Sequence, residues 1–240
     1  DEVWVYGDDS VHDLSATGEA PTALEERMRY TGYLAHGRDA AEATHGSEAS
    51  EALAGNTEAA GTFILTTAGG GSDGINLLRT AAAARVPDGY RHVVVTGPQL
   101  DAALFHQVAQ TAGPRTIVRR SWPGMSHHIQ QAAAVISMGG YNTVCEVLAS
   151  SAPALIVPRE EPRREQLIRA RALEDAGAVD VMRDADLDAG ALTRWVARAV
   201  TRRVLRAHLR RDGLRASTRR AAALLRPDPS ISHRRQEKAS

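Results

Sequence analysis

Two glycine-rich turns, each lying between an apolar run and a helical pattern, set backbone N–H groups where an anion could sit. One is Gly69-Gly70-Gly71-Ser72-Asp73-Gly74; the other is Gly139-Gly140, followed by Tyr141-Asn142-Thr143. Glycine lets the backbone approach a ligand closely, and a helix leaves the N–H groups of its first turn without intrahelical partners. Such an end favours a phosphate. Glu146 stands one turn into the helix expected to start at Asn142-Thr143, where its carboxylate could accept hydrogen bonds from a sugar's hydroxyls. The chemistry this predicts is recognition of a phosphate and a ribose. An ordinary tight βα turn has the same Gly-Gly pattern, so the pair by itself leaves both readings open.

Other reactive residue types are fewer. The first glycine turn is not a Walker loop, because no Lys-Ser/Thr follows it, and the acidic partner of a dinucleotide fingerprint is missing after the next strand. Trp122 lies in a loop and could stack on a base, wall a pocket or pack in the core. His127 and His128 are adjacent, so they point to different faces of a helix and cannot pair on a metal as i, i+4 ligands would. Cys145 sits inside the predicted helix without a candidate base near it in sequence, which favours packing over nucleophilic chemistry. The run Arg159-Glu160-Glu161-Pro162-Arg163-Arg164-Glu165-Gln166 offers guanidinium groups for phosphate, or an arginine–glutamate surface network.

These residues need elements to hold them. From Thr62 onward strands and helices alternate: strands at 62–67, 92–96, 116–119, 134–138, 154–157 and 179–182, with helices at 74–85, 101–111, from 126, after Asn142, and at 162–176. The pattern predicts an α/β fold, a Rossmann-like parallel sheet with helices on both faces. Ligands of such sheets bind beyond the carboxyl ends of the strands, the edge where every glycine-rich turn falls. Before this domain the spacing predicts a strand at 3–7, a helix over 21–29 and a short strand or extended link at 30–34. Residues 36–61 read as a flexible linker, one or two Ala/Arg-rich helices follow Asp186, and 227–240 reads as a disordered tail.

Composition narrows the class. Hydrophobic residues make up 43% of the 240 and aromatics 4%, so the core must be aliphatic. A single cysteine excludes an internal disulfide and fits a reducing, cytoplasmic setting. No apolar stretch approaches the ~20 residues that span a bilayer. The formal charge of +0 combines an acidic first quarter with an arginine-rich segment after Leu192. Those arginines recur on a helical pattern with Ala, Val and Leu and read as a solvated face. Nucleic acid is not expected as a partner, and peripheral contact with an anionic membrane is the alternative role for that face.

Residues 139–166 resemble the donor motif of MurG-type glycosyltransferases of family 28, in the order Gly139-Gly140-Tyr141-Asn142-Thr143, Glu146, Pro153, Pro158 and Gln166. Gly70, Gly71, Ser72 and Gly74 fall on the family's GGSxG turn, and the resemblance runs from about Tyr30 to about Met182. It implies the C-terminal half of a GT-B fold (62–226), with 1–35 as the remnant of an N-terminal acceptor domain and the crossing from it. It also implies a donor site made of Gly70, Gly71, Ser72, Trp122, Met125, Gly139, Gly140, Tyr141, Asn142, Thr143, Glu146, Glu165 and Gln166. In that site Ser72 would bond the diphosphate and Gln166 the sugar's hydroxyls. The implied activity is inverting hexosyl transfer from a UDP-sugar, UDP-N-acetylhexosamine by the family's habit, without metal or other cofactor. The acceptor domain would be missing or on another chain, and the isolated chain inactive. A UDP-sugar epimerase of the same architecture and a non-catalytic nucleotide-binding module are the alternatives. Three positions depart from the family: Glu165 for a second Gln, Arg169 for Asn, and His36 for an arginine that helps hold the diphosphate.

Overall fold

A computed structural model describes residues 1–36, 62–70, 73–162 and 164–225. The expected linker lies almost wholly outside the described residues, as do Gly71, Ser72, Arg163 and the expected tail. β1 (Val3–Val5), α1 (Thr22–Glu25) and β2 (Met28–Tyr30) come first, and β1 and β2 pair in parallel. Then follow β3 (Phe63–Thr67), α2 (Ile75–Ala83), β4 (Arg91–Val95), α3 (Ala102–Gln110), β5 (Thr116–Arg119), α4 (Met125–Gln131), β6 (Ala134–Ser137), α5 (Tyr141–Ala149), β7 (Ala154–Ile156), α6 (Glu165–Asp175), β8 (Asp180–Val181), α7 (Ala189–Ala199) and α8 (Gly213–Leu224).

Strands β3 to β8 form one six-stranded parallel sheet in the order β5-β4-β3-β6-β7-β8. The strand order therefore reverses direction between β3 and β6, the switch point where doubly wound sheets open a crevice. Thr67 and Ser137, the last residues of those two strands, are register partners. The segments that follow Thr67 and Ser137 thus leave the sheet side by side. The interiors of β3, β4, β6 and β7 are buried on both faces, as parallel sheets require, while the edge strands β5 and β8 are partly exposed. Phe63, Leu65, Val93 and Val135 face α4, α5 and α6, whereas Ile64, Val94, Ile136 and Leu155 face α2, α3 and α7.

The expected helix over 21–29 is a single turn. Met28–Tyr30 instead pairs with β1, a partner that lies too far along the chain to be visible in the local spacing. After β2 the chain crosses to the main sheet, and the crossing is held from behind by residues 209–213. Tyr33 N donates to Arg210 O at 2.8 Å, and Gly213 N donates to Tyr33 O at 3.0 Å. A Cβ on Gly213 would lie 2.2 Å from Gly32 O, so only glycine admits this approach. Asp8, 2% exposed, accepts from Arg210 N and Nε at 2.8 and 3.0 Å. Burial pushes its carboxyl up, but the bonds from Arg210 and Ser10 outweigh that and hold it below the usual range.

The return of the chain after α7 depends on Arg206, which is 2% exposed. Its guanidinium donates to Ala178 O, Ser150 O and Ala152 O at 2.8, 2.8 and 2.9 Å. Burial lowers its pKa to about 10, and three carbonyl oxygens take the place of water. Among the described residues no helix is long and apolar enough to cross a membrane.

Candidate functional site

The β3 and β6 turns and the N-terminus of α5 converge on a cavity of about 320 Å³ at the switch point. On the β3 side, Thr67 Oγ1 accepts from Gly69 N at 3.2 Å, and Gln99 N donates to Gly70 O at 3.1 Å. These bonds fix the turn with Gly69 and Gly70 facing the cavity. On the β6 side, α5 begins at Tyr141, one residue before the cap-type pair Asn142-Thr143. Gly140 takes the N-cap position and brings no side chain of its own to cap the helix. The first turn of α5, Tyr141 to Thr143, thus stands at the cavity wall, where helix N–H groups favour an anion.

The two glycines do different work. Gly139 has φ +81°, and a Cβ there would meet Ile156 Cγ2 at 2.6 Å. Gly140 has φ −56°, and a Cβ there would have nothing within 4 Å, so its missing side chain leaves the cavity open rather than relieving strain. The sequence pattern predicts that a Cβ at either position strains the turn or obstructs a ligand; the structure shows strain at Gly139 and open space at Gly140. Behind the turn, Arg169 donates to Gly139 O at 3.1 Å and lies 5.6 Å from the Tyr141 ring centroid. The Tyr141 hydroxyl accepts from Leu34 N at 3.3 Å, tying the site's helix to the crossing segment. Burial pushes this phenol well up, with Cys145 beside it adding to the effect.

The wall from the β7 side is polar. Gln166 Oε1 accepts from Arg159 N at 3.0 Å, which leaves its Nε2 as the group able to donate to a ligand. Arg159 donates to Asp73 Oδ2 at 2.6 Å and to Glu165 Oε1 at 3.1 Å. Glu160 pairs with Arg183 instead, through bonds of 2.9 and 2.6 Å, and the pairing holds its carboxyl below the usual range. Asp73 as the partner of Arg159 is not legible in the sequence, because 86 positions separate them.

Of the residues that the motifs single out, Gly70, Gly140, Tyr141, Asn142, Thr143 and Gln166 line this cavity, with Gly139 behind it and Glu165 bonded to Arg159 at its rim. Glu146 is half-buried farther along α5, outside the lining. Trp122 and Met125 also lie apart from it. The Trp122 ring is buried between Phe63, at a centroid distance of 5.5 Å, and His128, stacked at 3.6 Å. His128 Nε2 is 2.9 Å from Pro123 O, and burial pulls its pKa down to about 4. His127 bonds Gln131 at 2.8 Å. Among the described residues no cluster of three or more His, Cys, Asp or Glu side chains is arranged to hold a metal.

Known proteins share both the sequence and the architecture. A protein of Mannheimia succiniciproducens, UDP-N-acetylglucosamine--N-acetylmuramyl-(pentapeptide) pyrophosphoryl-undecaprenol N-acetylglucosamine transferase, is 30% identical over 128 residues, covering 51% of this chain and 36% of that protein. Its counterpart in Histophilus somni is 29% identical over 126 residues, covering 50% and 35%. The chain therefore spans about a third of the length of these relatives. The crystal structure of the calicheamicin glycosyltransferase superposes with a TM-score of 0.64 at 18% identity, covering 93% of this chain and 51% of that one. The spinosyn rhamnosyltransferase gives 0.58 at 20% identity, covering 99% and 56%. At these identities the likeness is one of fold, that of half a GT-B enzyme. The glycosyltransferase family 28 C-terminal domain matches residues 65–213, more than half of the chain, and it is to this family that the chain belongs.

Proposed function

We propose that the chain is the donor-binding part of an inverting hexosyltransferase and takes a UDP-linked sugar, an N-acetylhexosamine by analogy with its relatives. The observation that carries this reading is the N-terminus of α5, with glycine at its N-cap, facing the Gly69-Gly70 turn across the switch point. A diphosphate there would receive the first-turn N–H groups, the ribose would extend along α5 toward Glu146, and the sugar would meet Gln166. Ser72 and Gly71 belong to this site by their place in the turn. The base would lie against the main chain of the 121–125 loop.

In this reading β1, β2 and the crossing segment are the end of an acceptor domain whose remainder is missing or sits on another chain. That domain would supply the acceptor and the general base, since inverting transfer needs a group to take the acceptor's proton. The leaving UDP is stabilised by helix dipole and N–H groups rather than by a metal. Cytoplasmic residence, with contact to a membrane surface, follows from the same reading. Calorimetric titration with UDP, GDP, dTDP and their sugars tests it. UDP and UDP-N-acetylhexosamine should bind more tightly than the other nucleotides, and equal or absent binding of all three diphosphates would refute the assignment.

A further inference from the structure

The cavity contains one cationic side chain among its described lining residues, and that side chain is already engaged by two carboxylates. Arg159 reaches Asp73 Oδ2 at 2.6 Å with one terminal nitrogen and Glu165 Oε1 at 3.1 Å with the other. Its Nε is buried and makes no hydrogen bond. Its backbone N–H is held by Gln166 Oε1 at 3.0 Å, which fixes the root of the side chain at the rim. Other arginines nearby are committed elsewhere: Arg169 to Gly139 O, and Arg183 to both oxygens of Glu160.

We propose that Arg159 is the group by which the pocket distinguishes a diphosphate, and that phosphate oxygens replace Asp73 and Glu165 as its partners when the ligand enters. This rests on the donor-binding reading above. The arrangement has one positive and two negative side chains, so as it stands it repels an incoming anion. The carboxylates are 49% and 45% exposed, so they return to water cheaply when released, and exposed ion pairs of this kind are weak. A guanidinium offers a planar fork that matches phosphate better than two separate carboxylates. Before the exchange the Arg159–Asp73 bridge ties the β3 turn to the β7 wall; after it, the ligand does so.

The experiment measures UDP and uridine binding by the 240-residue chain and by R159Q, R159K and D73N, with R159Q/D73N completing a double-mutant cycle. R159Q should weaken UDP roughly tenfold to a hundredfold, the range for losing hydrogen bonds to a charged group, and leave uridine unchanged. R159K should fall between the two, since it keeps the charge and loses the fork. D73N should tighten UDP severalfold by freeing Arg159, and this gain should vanish in the R159Q background. Unchanged UDP affinity in R159Q overturns the proposal, and so does a D73N gain that persists without Arg159, because Asp73 would then act only through its own charge. Loss of uridine binding along with UDP in R159Q and R159K overturns it too, by showing a general disruption. If the unaltered chain binds neither ligand, the donor-site reading fails and this proposal with it.

Discussion

At the scale of single residues, Gly139 and Gly140 separate folding from binding within one turn. Gly139→Ala sets a side chain at φ +81° and within 2.6 Å of Ile156 Cγ2, and should cost about 2 kcal/mol or more of stability. Gly140→Val meets open space with an extended backbone, and should cost the fold ~1 kcal/mol or less as an N-cap change. UDP binding should nevertheless be lost in Gly140→Val, because the new side chain fills the approach to the helix end. Urea unfolding and calorimetry on the two variants would check the pair of outcomes. The pattern of residues around this turn is readable from glycine spacing alone. The role of Arg159 is only half readable: its type and place after a strand are evident, but Asp73 faces it only because β3 and β7 both flank β6. The burial of the Trp122 ring is equally hidden, since it depends on Phe63, far earlier in the chain on a different strand, to which local spacing gives no clue.

At the scale of elements, apolar β-branched runs make β3 to β7 legible to within a residue or two, and in β3, β4, β6 and β7 burial on both faces leaves a continuous signature. Met28 and Arg29 of β2 read as the end of a helix in the sequence, and Tyr30 as a short strand or extended link, because the pattern is short and its partner distant. The crossing to α8 shows why such contacts matter. Gly213→Ala would place a methyl group 2.2 Å from Gly32 O and 2.9 Å from Tyr33 O, so the crossing segment must move away from α8. Overpacking of this kind costs ~1–3 kcal/mol. The expected result is a lower urea midpoint together with faster amide exchange in 31–36, and a midpoint equal to that of the unaltered chain would show that the two segments are not packed as described. Within the sheet, His92 is fully buried on β4 with Nε2 2.7 Å from Thr66 Oγ1, and burial lowers its pKa from 6.5 to about 4. The unfolded chain thus binds the extra proton more readily. The stability that His92 contributes by staying neutral is complete above about pH 6.5 and is lost as pH falls toward 4, by up to about 3 kcal/mol. His128 shifts in the same direction and adds to the slope. Urea midpoints at about pH 7 and about pH 4.5 should show the fall, and His92→Gln should make it shallower.

At the scale of the whole molecule, the six-stranded sheet has its own two-sided core, whereas β1 and β2 form a two-stranded fragment that cannot bury a core of its own. The donor-binding reading predicts that the chain alone, although able to hold a UDP-sugar, transfers none of it to an acceptor. Proximity of two bound reactants and a positioned base supply much of the rate, and both need a second domain. Incubation of the chain with a UDP-sugar, with and without an acceptor domain supplied in trans, should give turnover only when that domain is present. The most direct test of the account follows the backbone amide resonances of the 240-residue chain during a UDP titration. With the diphosphate seated between the two turns, the N–H signals of Tyr141, Asn142 and Thr143, with those of Gly69 and Gly70, should shift together and saturate at one dissociation constant. Saturable UDP binding that leaves those signals unmoved would contradict that placement.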